Sequence, residues 1–193
     1  VGRNIFGIIL IGSTLGIVGC DDSTGLDLNP VLVSDTVTVA APLPQNAGLP
    51  TALDVTSDGA FGVQGGRFPE TIADALAWDF AVRIRSGQVV LVPARGVGVT
   101  QSRAALTPSI AGAVFEDLRE APGQSTFTMD SAVVMRQGDV YVARSRENSS
   151  VFGTACVQFA KIQPVQVNVA EGRVHLRIVT NERCGDPRLI AVE

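Results

Sequence analysis

The side chains best equipped for chemistry are few: three cysteines (Cys20, Cys156, Cys184), one histidine (His175), two methionines (Met129, Met135) and scattered carboxylates. Asp79, Glu116, Asp117, Glu120, Asp130 and Asp139 include close neighbours in sequence. General acid/base work needs a pair whose environments drive their pKa values apart, and these read instead as solvated faces and turn residues. With a single histidine and no Gly-X-Ser-X-Gly stretch, a hydrolytic triad has no support. Gly65-Gly66-Arg67 and Gly96-Val97-Gly98 lack the strand, loop and helix context of a phosphate cradle and read as turns. No histidine or further cysteine stands at metal-ligand spacing to Cys156 or Cys184, so no metal site is expected.

Cys20 closes an uncharged run. Residues 5–19, IFGIILIGSTLGIVG, follow Arg3 and end at Ile17-Val18-Gly19-Cys20. This is the n-region, h-region and small-residue junction of an export signal. Its final four residues resemble the lipobox of bacterial lipoproteins, whose cysteine thiol receives a diacylglycerol. A fifteen-residue helix rises only about 22 Å, short of the roughly 30 Å hydrocarbon core. Lipidation of Cys20 is therefore favoured over a membrane-spanning anchor helix. Either way Arg3 stays cytoplasmic and the rest of the chain faces the periplasm. Residues 1–20 are the expected signal or anchor, 21–30 (DDSTGLDLNP) a polar tether, and 31–193 one β domain. If Cys20 carries lipid, Cys156 and Cys184 remain to pair across the last hairpin, through a bend that Asn-Glu-Arg-Cys-Gly-Asp-Pro can supply. An oxidising compartment suits that bridge.

The elements that must position these residues are strands. Hydrophobic residues make up 46% of the chain, with few aromatics, and Gly and Pro fall in punctuating clusters; this composition favours strands and turns. A net charge of -4 and a single lysine leave no basic surface for nucleic acid. SDTVTVAA alternates, and three later segments fold into hairpins on paper. A Ser86-Gly87 turn sets Ile84 against Val89 and Val82 against Leu91. A Gln137-Gly138 turn sets Met135 against Val140 and Val133 against Val142. A Glu171-Gly172 turn sets Val169, Val167 and Val165 against Val174, Leu176 and Ile178. The expected fold is all-β, an antiparallel sandwich or partly closed barrel. One or two short helical turns are expected, in FPETIADALAW and AGAVFEDLREAP. Trp78 should close the core with its indole N–H bonded, and Asp79 should hold a neighbouring turn. Arg83 and Arg85, with Val90 and Val92 from the paired strand, form a possible contact face.

In order, AWDFAVRIRSG, VFEDLREAPGQSTFTMDS, GDVYVARSRE and QFAKIQPVQVNVAEGRVHLRIV resemble the HmuY-like bacterial lipoproteins over roughly residues 74–180. The resemblance implies an all-β domain and, in some members, haem held by paired His or Met ligands. The haem-ligand histidines of that family are not matched here. Met129, Met135 and His175 are the residues that could serve in the alternative of a haem or small-ligand carrier. His175 falls mid-strand on the polar face, and Met135 has a core role beside Val140. The preferred expectation is a non-catalytic, membrane-anchored periplasmic module without cofactor, an accessory subunit touching protein subunits of a larger membrane complex. A bacterial photosynthetic reaction centre with its antenna is one assembly class that takes periplasm-side accessory polypeptides.

Overall fold

The alternation read from the sequence becomes strand pairing wherever an apolar row can be buried. The computed structural model describes residues 29–56, 65–72, 74–149 and 155–191. Twelve strands follow in chain order: β1 (Leu32–Ala40), β2 (Ala52–Asp54), β3 (Gly65–Arg67), β4 (Phe80–Arg85), β5 (Gln88–Pro93), β6 (Ala105–Leu106), β7 (Val133–Val134), β8 (Tyr141–Arg144), β9 (Asn148–Ser149), β10 (Ala155–Cys156), β11 (Phe159–Asn168) and β12 (Arg173–Asn181). They form two five-stranded antiparallel sheets, β1-β12-β11-β8-β6 and β3-β2-β4-β5-β7, and a small β9-β10 pair. One apolar core fills the space between the sheets, with Phe80, Leu91, Tyr141, Ile162, Leu176 and Ile178 fully buried. Truncating a residue such as Phe80 to Ala would cost about 3–5 kcal/mol.

The β4-β5 hairpin has the expected register, Ile84 opposite Val89 and Val82 opposite Leu91. Its two-residue turn puts Ser86 at φ 49 and Gly87 at φ 69, the mirror-image turn whose twist matches the flanking strands.

The last hairpin forms with a shifted register. Its turn is four residues long, closed by Gly172 N–H donating to the Val169 carbonyl at 3.2 Å, so Val167 rather than Val169 faces Val174. A bulge between Pro164 and Gln166 moves the pairing again, placing Pro164 opposite Leu176 and Ile162 opposite Ile178. Proline has no N–H for the ladder, and an unpaired extra residue there lets both halves keep apolar side chains inward. Val165 and Val169, expected inside, are 39% and 44% exposed.

Between Val133 and Arg144 there is no hairpin. β7 pairs with β5 in one sheet, whereas β8 pairs with β11 and β6 in the other. The chain crosses the sandwich: Val133 and Met135 point into the inter-sheet core as expected, but on β8 it is Tyr141 and Ala143 that do so, while Val140 and Val142 are buried outside that core. Tyr141 ties the crossing: its hydroxyl donates to the Val134 carbonyl at 2.8 Å and accepts from Arg136 N–H at 3.0 Å. Crossing between the sheets turns inward the face of β8 opposite to the one a hairpin would bury.

The expected helical turns are also corrected. Among the described residues, 68–77 and 111–118 hold turns, and the short 3-10 pieces lie elsewhere, at Pro44–Asn46, Ala94–Val97 and Gln124–Thr126. Gly65–Arg67 is strand β3 rather than a turn; a Cβ on Gly66 would run into the Pro50 ring. Cys156 and Cys184 form the disulfide, which closes a loop over a sequence separation of 28. That cross-link contributes roughly 3–4 kcal/mol in the chain-entropy description. The expected signal or anchor at 1–20, with Cys20, and most of the tether lie outside the described residues. Among those described, no helix is long and apolar enough to cross a membrane.

Candidate functional site

At one end of the sandwich four charged side chains meet. Asp54 ends β2, Asp79 precedes β4, Arg67 ends β3, and Arg146 arrives from the opposite sheet just beyond β8. Both carboxylates are fully buried. Arg146 Nη1 donates to Asp54 Oδ1 at 2.8 Å and to Asp79 Oδ1 at 3.3 Å, and its backbone N–H donates to the same Asp79 oxygen at 2.7 Å. Asp79 Oδ2 accepts the Val55 N–H at 2.8 Å. Arg67 Nη2 reaches Asp54 Oδ2 at 3.0 Å, while Thr56 donates to Asp54 Oδ1 through its backbone at 3.0 Å and its hydroxyl at 2.6 Å. Nearby, the Thr180 hydroxyl of β12 donates to the Val55 carbonyl at 3.0 Å, a second link between the sheets.

Charge balances within this network, two carboxylates against two guanidinium groups, which is the condition for burying ions at all. Burial raises the cost of ionising Asp54, but the hydrogen bonds and charge of Arg146, with Thr56, outweigh it and hold this carboxyl below its ordinary value. Burial and the adjacent Asp54 charge instead push Asp79 up to about 7, against the pull of Arg146. The two carboxylates keep Arg146 protonated despite its burial.

Beside this network lies a cleft of about 380 Å³ lined by Leu76, Trp78, Val99, Gln101, Ser102, Arg146, Glu147 and Asn148. One wall is built by the chain after β5. Its 3-10 turn Ala94–Val97 ends at Gly98, whose φ of 108 suits glycine, and Val99 and Ser102 N–H groups then bond back to the Ala94 and Val99 carbonyls. Trp78 forms part of the lining and is 6% exposed; its indole N–H donates to the Ala75 carbonyl at 3.1 Å, as expected. Asp79 does hold adjacent backbone, but across two sheets rather than one turn.

A different treatment of buried charge occurs on the outer face of the first sheet. Lys161, the only lysine of the chain, is 4% exposed. Its Nζ donates to the Phe115 carbonyl at 2.7 Å and the Leu118 carbonyl at 3.5 Å, and lies 4.9 Å from the Phe115 ring centroid. Arg177 packs over the same ring at 4.4 Å and pairs with Glu116. Burial lowers the Lys161 pKa.

The residues singled out from the sequence fall in separate places. Met135 is 3% exposed in the inter-sheet core, its N–H bonded to the Val89 carbonyl at 2.9 Å. Met129 presents its sulfur to Arg144 Nη2 at 3.7 Å. His175 lines an outer-face cleft with Thr38, Gln166, Asn168, Glu171 and Arg173, its Nδ1 2.8 Å from Thr38 Oγ1. These three stand in different surroundings rather than around one haem-sized cleft. Among the described residues no group of three or more His, Cys, Asp or Glu is placed to hold a metal.

The expected contact face is corrected. Val90 and Val92 are 2% and 0% exposed, and the segment after β5 folds over Val92, where a Cβ on Gly96 would stand 2.9 Å from its Cγ1. Arg85 is exposed, and Arg83 turns back to donate to the Val82 carbonyl at 2.8 Å.

Asp54, Arg67 and Arg146 were not legible as a site. The available signal was a carboxylate interrupting an apolar run, Ala52-Leu53-Asp54-Val55, and the same pattern at Trp78-Asp79-Phe80. An acid in such a run must find a partner when the run is buried. No protein-family model, no curated protein and no solved structure matches this chain.

Proposed function

We propose that this protein is a non-catalytic module, tethered to the membrane through lipid on Cys20, that docks from the periplasmic side onto protein subunits of a larger membrane assembly. The observation that carries the docking reading is the turn segment 68–77, where Ile72 is 99% and Leu76 66% exposed. Large apolar side chains held out on one loop beside a cleft fit a contact with another protein. The fully buried Asp54 and Asp79 are engaged with the partly buried Arg146 across the sheets, an arrangement suited to rigidity. The lipobox-like Ile17-Val18-Gly19-Cys20 and the resemblance to HmuY-like lipoproteins support the tether.

Two measurements test this reading. Cys20→Ala should move the protein from the membrane to the soluble fraction. After gentle detergent extraction the wild-type chain should migrate with a larger complex on a native gel, and Ile72→Asp with Leu76→Asp should release it. Migration of the wild type at its own mass would overturn the docking reading. A sharp Soret shift with haemin, abolished by Met129→Ala or Met135→Ala, would replace it with a haem carrier.

A further inference from the structure

We propose that the cleft beside Trp78 binds a neutral carbohydrate of one or two rings, a role independent of how the chain is anchored. Its charges are already spent within the protein. Arg146 is neutralised by Asp54 and Asp79, and Glu147 pairs with Arg103 at 3.2 Å. An ionic ligand would have to compete with these existing pairs for its countercharge.

The remaining polar lining is neutral. The side-chain amides of Gln101 and Asn148 make no hydrogen bond among the described residues. Ser102 accepts the Ala104 N–H at 3.2 Å, which leaves its own hydroxyl proton to donate. Each amide offers both donors and an acceptor, the complement of neighbouring sugar hydroxyls, which also do both. Leu76, Val99 and Trp78 supply the apolar wall that the C–H face of a sugar ring requires. At about 380 Å³ the cleft stands at the small end of the roughly 300–1,000 Å³ usual for small-molecule sites.

Trp78 is the only tryptophan, so intrinsic fluorescence reports on this cleft. The folded protein is titrated with glucose, galactose, mannose, N-acetylglucosamine, maltose and cellobiose at millimolar concentrations, and with glucuronate as the charged counterpart. The expected result is a saturable emission change with at least one neutral sugar and weaker binding of glucuronate. Affinity should fall about tenfold for Gln101→Ala or Asn148→Ala, the loss of one hydrogen bond each. Thr38→Ala, in the separate outer-face cleft, should bind as wild type. Amide shift mapping on the wild-type protein should show perturbations at 99–102 and 146–148, which keeps the test valid should a variant misfold. No response to any neutral sugar, equal binding of glucuronate, or perturbations confined to other residues would overturn the proposal.

Discussion

Two cations withdrawn from solvent, the partly buried Arg146 and the buried Lys161, solve one electrostatic problem in opposite ways. Arg146 is neutralised by two carboxylates from the facing sheet, so its pairing joins the halves of the sandwich. Lys161 meets backbone carbonyls and the face of Phe115, so its pairing pins the 111–118 segment onto the outside of one sheet. A planar guanidinium can divide its donors between two acids, whereas a compact ammonium fits carbonyls at a turn. Losing the first should loosen the body of the fold; losing the second should loosen a covering loop.

The largest effect should follow removal of the shared guanidinium. Arg146→Ala leaves the buried Asp79 without its guanidinium and Asp54 with Arg67 alone, and should destabilise the fold by about 3–5 kcal/mol in urea unfolding, with the m-value unchanged. Lys161→Met should cost less, about 1–3 kcal/mol, because it strands two carbonyls without stranding a charge. Hydrogen exchange should then rise in 111–118 well before it rises in β4 or β5. A Lys161 variant as damaging as the Arg146 variant would erase the distinction between body and cover.

The two carboxylates sharing Arg146 should differ in their pH dependence. The depressed pKa of Asp54 contributes stability that is present above the ordinary carboxylate value of 3.8 and lost as pH falls below it. Asp79, raised to about 7, contributes in the reverse sense: its share is full below 3.8 and is lost as pH rises through about 7. Stability of the wild-type protein should therefore decline from pH 5 to 8, and Asp79→Asn should remove that slope. His175 lies on the outer face, in a cleft apart from this network, so His175→Asn should leave the slope in place. The smallest effect should come from the exposed edge of the lysine region: Glu116→Gln removes the pair with Arg177 and should leave the unfolding midpoint within experimental error.

How far the sequence reads correctly depends on which physical rule controls each segment. The β4-β5 hairpin was legible to the residue because a two-residue turn admits one register. The final hairpin was legible as a pair but not in register, since four turn residues and the Pro164 bulge displace the valines without changing their pattern. The disulfide was legible from three cysteines, the first of which closes the apolar segment and leaves the other two to pair. The 133–144 crossing was not, because alternation alone says neither whether neighbouring strands lie side by side or face to face nor which face of β8 turns inward. The charge network was equally hidden: Asp54 and Arg146 are 92 residues apart, and the local bonds from Thr56 to Asp54 say nothing of that distant partner.

By itself the sequence determined the class of the fold, its strand alternation, the cysteines that pair and the apolar segment that ends at Cys20. Those features depend on local geometry and on side-chain type. Tertiary structure alone decided which sheet each strand joins, which valines are covered, and which acids share a guanidinium. Burial and charge pairing are properties of surfaces brought together from distant parts of the chain, and a carboxylate has no environment until that packing supplies one.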